Sequence, residues 1–114
     1  MCRYGMASYK HHFVCLACRS SFKRDRVDGR EQPCPRCGAA MIDAGYDLAV
    51  PRRRDVAGWK ALGVVLRAGL TFHSCGCGGP GFRPRTPAQV RARRIAAVRL
   101  GVPLREALQR TEVD

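Results

Sequence analysis

The pattern of residues 8–15, SYKHHFVC, predicts a β-strand: with a period of two, Tyr9, His11 and Phe13 lie on one side and Lys10, His12 and Val14 on the other. Residues 39–50 predict a further extended segment, which ends at Pro51 because proline lacks a backbone donor. The charged segment between these two contains an Asp28-Gly29 pair, a frequent turn in β-hairpins. The pattern therefore predicts a small β-hairpin structure in the first half of the chain.

A helix is predicted after Asp55, whose carboxylate suits the N-cap position, and Gly69 is expected to end it. Its apolar residues recur at helical spacing along one face. They are Val56, Trp59, Leu62, Val65 and Leu66. We expect this face to cover the hairpin.

A second helix is predicted between Thr86, as its N-cap, and Gly101, with Pro87 at the first helical position. Its apolar stripe is weak because arginines surround the few aliphatic residues, so we expect it to be poorly buried. A short third helix is predicted after Pro103, before the acidic C-terminal residues.

Seven cysteines in 114 residues indicate either a disulfide framework or a set of metal ligands. No secretory signal pattern and no run of about 20 apolar residues is present, so we expect a cytoplasmic protein without a membrane span. Thiols stay reduced in the cytoplasm, where paired cysteines indicate zinc. A chain of this length buries only a modest core, which makes a stabilising metal more important.

Two Cys-x-x-Cys pairs, Cys15 with Cys18 and Cys34 with Cys37, have the spacing of a four-cysteine zinc site. Each pair turns tightly enough for both thiolates to reach one ion at about 2.3 Å. Four protein ligands leave no position for water, so this zinc would be structural and not catalytic. The alternative, four buried thiols without a metal, requires the two pairs to occur by coincidence.

The arrangement resembles the zinc-ribbon class, with these four cysteines at the ligand positions over roughly residues 9–50. With the segment SCGCGGPGFRPRT, the chain is also similar to a group of small actinobacterial zinc-ribbon proteins. The expected fold is small α+β: a zinc-ribbon β-hairpin packed by a helix, with an Arg-rich C-terminal helical extension. The expected organisation is a zinc-ribbon body with its covering helix over residues 1–77, a Gly/Pro linker over 78–87 and a basic helical tail over 88–114.

A second metal site is suggested by His73, Cys75 and Cys77, which Cys2 would complete as a site of three cysteines and one histidine. Zinc ligands two residues apart are less common than Cys-x-x-Cys pairs. His11 or His12 of the first strand could also take the fourth ligand position in place of Cys2. Two alternatives remain open: reduced thiols in a Gly-rich loop, or a redox pair of Cys75 and Cys77.

The formal net charge of +12 and the sequence pI near 10.3 indicate a polyanionic partner. Arginine carries most of this charge, and its guanidinium group forks onto phosphate oxygens and stacks on bases, which favours RNA over DNA. A high-GC genome would explain why Arg replaces Lys, but it would not explain why basic residues outnumber acidic residues. The candidate nucleic-acid-binding residues are Arg52, Arg53, Arg54, Arg83, Arg85, Arg91, Arg93, Arg94 and Arg99.

Three classes of function fit these patterns. The first is a zinc-stabilised accessory protein that binds nucleic acid, in association with RNA or the ribosome. The second is an adapter or regulator whose ribbon and basic tail bind a protein. The third, an enzyme or redox protein, is least favoured because no paired carboxylates, catalytic triad or phosphate-binding loop is recognisable, and no small-molecule substrate is expected. No RNA-stacking aromatic pair or DNA-reading motif is recognisable either, so we expect mainly electrostatic binding.

Overall fold

The computed structural model describes residues 10–25, 32–72 and 81–112. Three short strands form one antiparallel sheet in the order β2-β1-β3: β1 is His11–Cys15, β2 is Ser20–Arg24 and β3 is Ile42–Asp43. Three helices follow: α1 is Val56–Arg67, α2 is Pro87–Leu100 and α3 is Leu104–Leu108. The predicted small α+β fold is confirmed at this level.

The central strand β1 confirms the strand predicted from the alternating pattern. It pairs with β2 in a register that sets His11 against Arg24 and Cys15 against Ser20. The turn between these strands therefore holds the first cysteine pair. The predicted Asp28-Gly29 turn lies outside the described residues.

The extended segment predicted over residues 39–50 is shorter in the structure. Ala40 forms a single bridge with Pro33, and only Ile42–Asp43 forms a strand, paired with β1. Gly45 then turns the chain with a φ of +94°, a conformation that a strand does not allow. The Asp43 carboxylate accepts a hydrogen bond from the Gly45 N–H at 3.0 Å, and this local bond competes with strand extension.

The chain divides into two compact units. The sheet unit contains β1, β2 and β3 up to Val50, together with Thr71 and Phe72, and the helical unit contains α1, α2 and α3. Within the helical unit, α2 packs against both α1 and α3. The described residues therefore group α1 with the other helices, while the boundaries predicted at residues 77 and 87 remain predictions.

The ends of α1 and α2 follow the predicted capping residues. The Asp55 carboxylate accepts from the Gly58 N–H at 3.0 Å, and the Thr86 hydroxyl accepts from the Gln89 N–H at 3.2 Å. These bonds satisfy N–H groups that the helix itself leaves without partners. Gly101 ends α2 in the left-handed region with a φ of +66°, which glycine adopts without steric cost.

The core of the helical unit contains most of the predicted apolar face of α1. Trp59, Leu62, Val65 and Leu66 are buried, whereas Val56 in the first turn is 42% exposed. The other helices contribute mainly small side chains to this core. They are Val90, Ala96, Ala97, Ala107 and Leu108. In the described part of the chain, no helix has the length and apolar character needed to cross a membrane.

Candidate metal centre and basic surface

The four predicted cysteine ligands converge at one end of the sheet unit. The Sγ atoms of Cys15, Cys18, Cys34 and Cys37 all lie within 4.8 Å of one another. The Sγ atoms of Cys15 and Cys37 are 3.6 Å apart. Two thiolates bound tetrahedrally at about 2.3 Å would be about 3.8 Å apart, so the donor set fits a single tetrahedral ion. The four cysteines are thus positioned to bind one metal ion.

Each cysteine pair sits on a tight turn whose following residue has a positive φ. Gly38 follows Cys37 with a φ of +80°, and its N–H donates to the Cys34 carbonyl at 2.8 Å. Arg19 follows Cys18 with a φ of +49°, a conformation rarely adopted by residues with a side chain. Both turns therefore end in a residue of positive φ, although the sequence supplies glycine at only one.

A small apolar cluster supports the cysteines from within the sheet unit. Phe13 of β1 and Met41 pack with the buried Cys15 and Cys34, and Phe22 of β2 is partly buried against them. Cys37 is exposed. One side of the cluster is therefore buried and the other is open to solvent.

The cysteine thiols differ in acidity because their surroundings differ. Burial raises the pKa of Cys15. The hydrogen bond with Cys37, together with burial, raises the pKa of Cys18 to about 12. Burial opposes ionisation of Cys34 as well, but backbone N–H groups, together with hydrogen bonds from the Cys15 and Cys37 side chains, outweigh it and lower the pKa of Cys34 to about 7. One of these groups is the Arg36 N–H, 3.4 Å from the Cys34 sulfur. Of these three ligands, Cys34 is thus the first to ionise.

The second proposed cluster, Cys2 with His73, Cys75 and Cys77, lies outside the described residues. The histidines that could compete with Cys2 have partners in the sheet unit. His11 Nδ1 lies 2.9 Å from the Asp43 carboxylate, and His12 Nδ1 lies 3.4 Å from the Ser21 hydroxyl. Burial and the nearby positive charge of Lys23 lower the pKa of His12.

Most of the positive charge belongs to the helical unit. Its sequence contains 13 Lys and Arg against 4 Asp and Glu, a net charge of +9 out of the total of +12. All nine candidate nucleic-acid-binding arginines are in this unit. Seven of them are exposed: Arg52, Arg53, Arg54, Arg85, Arg91, Arg94 and Arg99.

The Arg52-Arg53-Arg54 triplet lies on a turn that the helical core holds in place. The indole N–H of the buried Trp59 donates to the Arg52 carbonyl at 3.0 Å, and the Asp55 N–H donates to the same oxygen at 2.9 Å. The backbone of the triplet is therefore fixed, while its three side chains stay in solvent.

Two of the candidate arginines differ from the other seven. Arg93 is only 6% exposed, and its guanidinium donates to the carbonyl groups of Gln89, Arg110 and Thr111 at 3.0 to 3.2 Å. Arg83 is half-buried and donates to the Phe82 carbonyl at 2.9 Å, and its pKa is lowered by burial and by the charge of Arg105. The structure gives Arg93 an internal role, so we leave it out of the proposed binding surface.

The outward side of α2 carries two aliphatic residues that the sequence pattern places off the apolar stripe of the helix. Ile95 is 62% exposed and Val98, in the last turn of α2, is 85% exposed, although both are large aliphatic residues. Weak amphipathicity of α2 was predicted, but which aliphatic residues face solvent depends on where α1 and α3 pack.

Comparisons of the chain with models of known protein families, with curated proteins and with solved structures find no match. The zinc-ribbon resemblance therefore rests on the cysteine cluster and the strands that carry it.

Proposed function

We propose that this chain is a zinc-stabilised, basic accessory protein that binds nucleic acid in the cytoplasm, with RNA favoured over DNA. The observation that carries this proposal is the concentration of exposed arginines, seven of the nine candidates among them, on a helical unit with a net charge of +9. Such a charge density attracts the phosphate backbone and releases its counterions on binding.

Zinc is the metal we propose for the four-cysteine site. Four thiolates in tetrahedral arrangement suit Zn²⁺, with an iron centre as the other common occupant of such a donor set. The ion would hold Cys15 and Cys18, on the β1–β2 turn, to the second turn with Cys34 and Cys37. Because all four positions are filled by protein, we assign the ion a folding role and no chemical step.

The arginine chemistry supports RNA as the preferred partner. Guanidinium groups bind phosphate oxygens in pairs and stack on unpaired bases, which single-stranded RNA presents in loops and ends. Ribosomal RNA is one abundant source of such sites, which is why we propose ribosome association as the cellular setting.

A salt series tests the proposal. Affinity for a 20-nucleotide single-stranded RNA and for a duplex DNA of equal length is measured by fluorescence anisotropy between 50 mM and 400 mM salt. Replacing Arg52, Arg53 and Arg54 with Ala should reduce the slope of log affinity against log salt on RNA by about two units if all three touch phosphate. A matched control removes three exposed charges from the sheet unit, as Lys10→Ala, Lys23→Ala and Arg36→Ala, and should leave the slope nearly unchanged.

The alternative function is a protein adapter. It predicts negligible affinity for both nucleic acids at physiological salt in the parent protein. It also predicts that neither triple variant changes a slope, because no phosphate contacts exist. Parent-like affinity and slope in the Arg52, Arg53 and Arg54 variant would remove that triplet from the binding surface.

A further inference from the structure

One side of α2 faces solvent and has a composition that differs from the rest of the helical unit. The buried side of α2 carries Val90, Arg93, Ala96 and Ala97. On the opposite side, positions three and four residues apart are neighbours, and they form one continuous surface. We call this surface the outer face of α2; it consists of Arg91, Arg94, Ile95, Val98 and Arg99.

The two aliphatic residues lie at the centre of the outer face. Ile95 and Val98 are one turn apart, and the three arginines precede, flank and follow them along the helix. The face spans about 12 Å of helix, since each residue adds about 1.5 Å. An apolar centre with a charged rim is the usual anatomy of a protein interface, in which arginine is also enriched.

From this arrangement we propose that the outer face of α2 docks an acidic, amphipathic helix of a protein partner. The charge of the face decides the sign of the partner: α2 contains four residues of Arg and no Asp or Glu among its 14 residues. A second copy of α2 would bring like charges together, which opposes self-association. An acidic helix offers carboxylates to Arg91, Arg94 and Arg99, and its apolar side covers Ile95 and Val98.

A phosphate backbone is a poorer occupant of this particular surface. It would satisfy the three arginines but would leave Ile95 and Val98 against charged oxygens or water, with no gain from their apolar area. The nucleic-acid contact tested above uses Arg52, Arg53 and Arg54, which are not part of this face. Arg91, Arg94 and Arg99 add to the positive charge of the helical unit whichever partner they contact. The inference therefore goes beyond the proposed function and gives the helical unit a second partner.

A pair of synthetic peptides tests the docking surface with the zinc-loaded full chain. The probe is an 18-residue peptide of Leu and Glu arranged as an amphipathic helix, and the control peptide has the same composition in scrambled order. We expect the probe to bind at least tenfold more tightly than the scrambled peptide. Equal affinity of the two peptides would overturn the inference, since charge alone would then explain the binding.

Variants locate the binding on the chain. Replacing both Ile95 and Val98 with Gln keeps a good helix former and all arginines, and it should weaken probe binding by at least tenfold. The matched control replaces two other exposed aliphatic residues, Val50 and Val56, with Gln and should leave probe affinity unchanged. Circular dichroism and zinc content verify that each variant is folded. Loss of binding in the control pair, or retention in the Ile95 and Val98 pair, would contradict the assignment.

The same variants separate this inference from the proposed function. The Ile95 and Val98 pair should keep the RNA affinity and salt slope of the parent. If it lost RNA affinity, and the parent did not prefer the amphipathic probe, the outer face would be a nucleic-acid contact and the docking proposal would be wrong. Absence of RNA binding in a parent that prefers the probe would reject the proposed function and leave the docking surface standing.

Discussion

The guanidinium group of Arg93 lies over the ring of Phe82, with 4.5 Å between its Cζ atom and the ring centroid. Two of its nitrogens, Nε and one terminal nitrogen, donate to the Arg110 carbonyl at 3.2 and 3.0 Å, just beyond the end of α3. Among the described residues, the partners of this buried cation are carbonyl dipoles and an aromatic face, with no carboxylate. Arg93 joins three parts of the helical unit: the segment before α2, α2 itself and the residues after α3.

Arg93→Met should therefore destabilise the helical unit by about 2 kcal/mol, because a buried hydrogen-bond network is lost. The measurement is urea unfolding followed by helical circular dichroism. Arg94→Met is the matched control, since Arg94 is the adjacent residue and is exposed. It should change stability by no more than about 0.5 kcal/mol. Equal effects of the two substitutions would show that the network does not stabilise the fold.

The two cysteine turns give a second prediction. Arg19 adopts a φ of +49°, whereas the equivalent position of the other turn is Gly38, with a φ of +80°. A residue with a side chain in this region costs on the order of 1 kcal/mol, so Arg19→Gly should stabilise the metal-loaded chain by up to about 1 kcal/mol. Thermal unfolding in the presence of metal measures this gain.

The reverse substitution is the control for that prediction. A Cβ atom at Gly38 would meet no heavy atom within 4 Å, so Gly38→Ala tests the backbone conformation alone. It should destabilise the chain by about 1 kcal/mol. Destabilisation by Arg19→Gly would mean that the Arg19 side chain contributes more than its backbone conformation costs.

Local chemistry explains which parts of the fold the sequence could predict. Cysteine spacing, the Asp55 and Thr86 caps and the glycines that end α1 and α2 act within a few residues, so they are visible in the sequence. The left-handed conformation of Arg19 could have been inferred by analogy with Gly38, since both follow a Cys-x-x-Cys pair. The residue type at position 19 gave no such signal, because arginine rarely adopts a positive φ.

Features that depend on packing were not visible. Val56 lies on the predicted apolar face of α1, yet it is exposed because the core begins one turn later, at Trp59. Arg93 was grouped with the other arginines, because its burial depends on Phe82 and on carbonyl groups 17 and 18 residues away in sequence. Such contacts are tertiary, and neither charge nor periodicity encodes them.

The metal site gives a third prediction. Metal analysis of the purified protein should find at least one zinc per chain, and Cys34→Ser should lose that zinc and destabilise the sheet unit, because metal-binding free energy contributes to folding free energy. Tryptophan fluorescence of Trp59, in the helical unit, reports whether that unit also unfolds. A metal-free sheet unit as stable as the metal-loaded one would refute the ribbon assignment.

Metal stoichiometry also decides whether the second proposed cluster exists. Two zincs per chain, falling to one in Cys75→Ser while the first site is retained, would support Cys2, His73, Cys75 and Cys77 as ligands. One zinc per chain, with Cys75 and Cys77 readily alkylated in the metal-loaded protein, would instead favour free thiols in that segment.

The last prediction concerns the pH dependence of metal binding. Thiols bind metal as thiolates, so every ligand that is protonated in the metal-free chain must release its proton. The raised pKa values of Cys15 and Cys18 keep both protonated at neutral pH, whereas Cys34, with a pKa of about 7, is protonated only below that pH. Apparent zinc affinity should therefore rise with pH. The slope of log affinity against pH gives the number of protons released per ion bound, and it should be larger by about one below about pH 7 than just above it.

Competition with a chromophoric chelator of known pH dependence, between pH 5.5 and 8.5, measures this slope. Cys34 owes its acidity to N–H groups of its own turn, one of them the Arg36 N–H, so Arg36→Pro should remove that donor and raise the pH at which the slope changes. Arg36→Ala keeps the N–H and serves as the control, with the break near pH 7. A slope that is constant across this range in the parent protein would show that Cys34 does not ionise ahead of the other ligands.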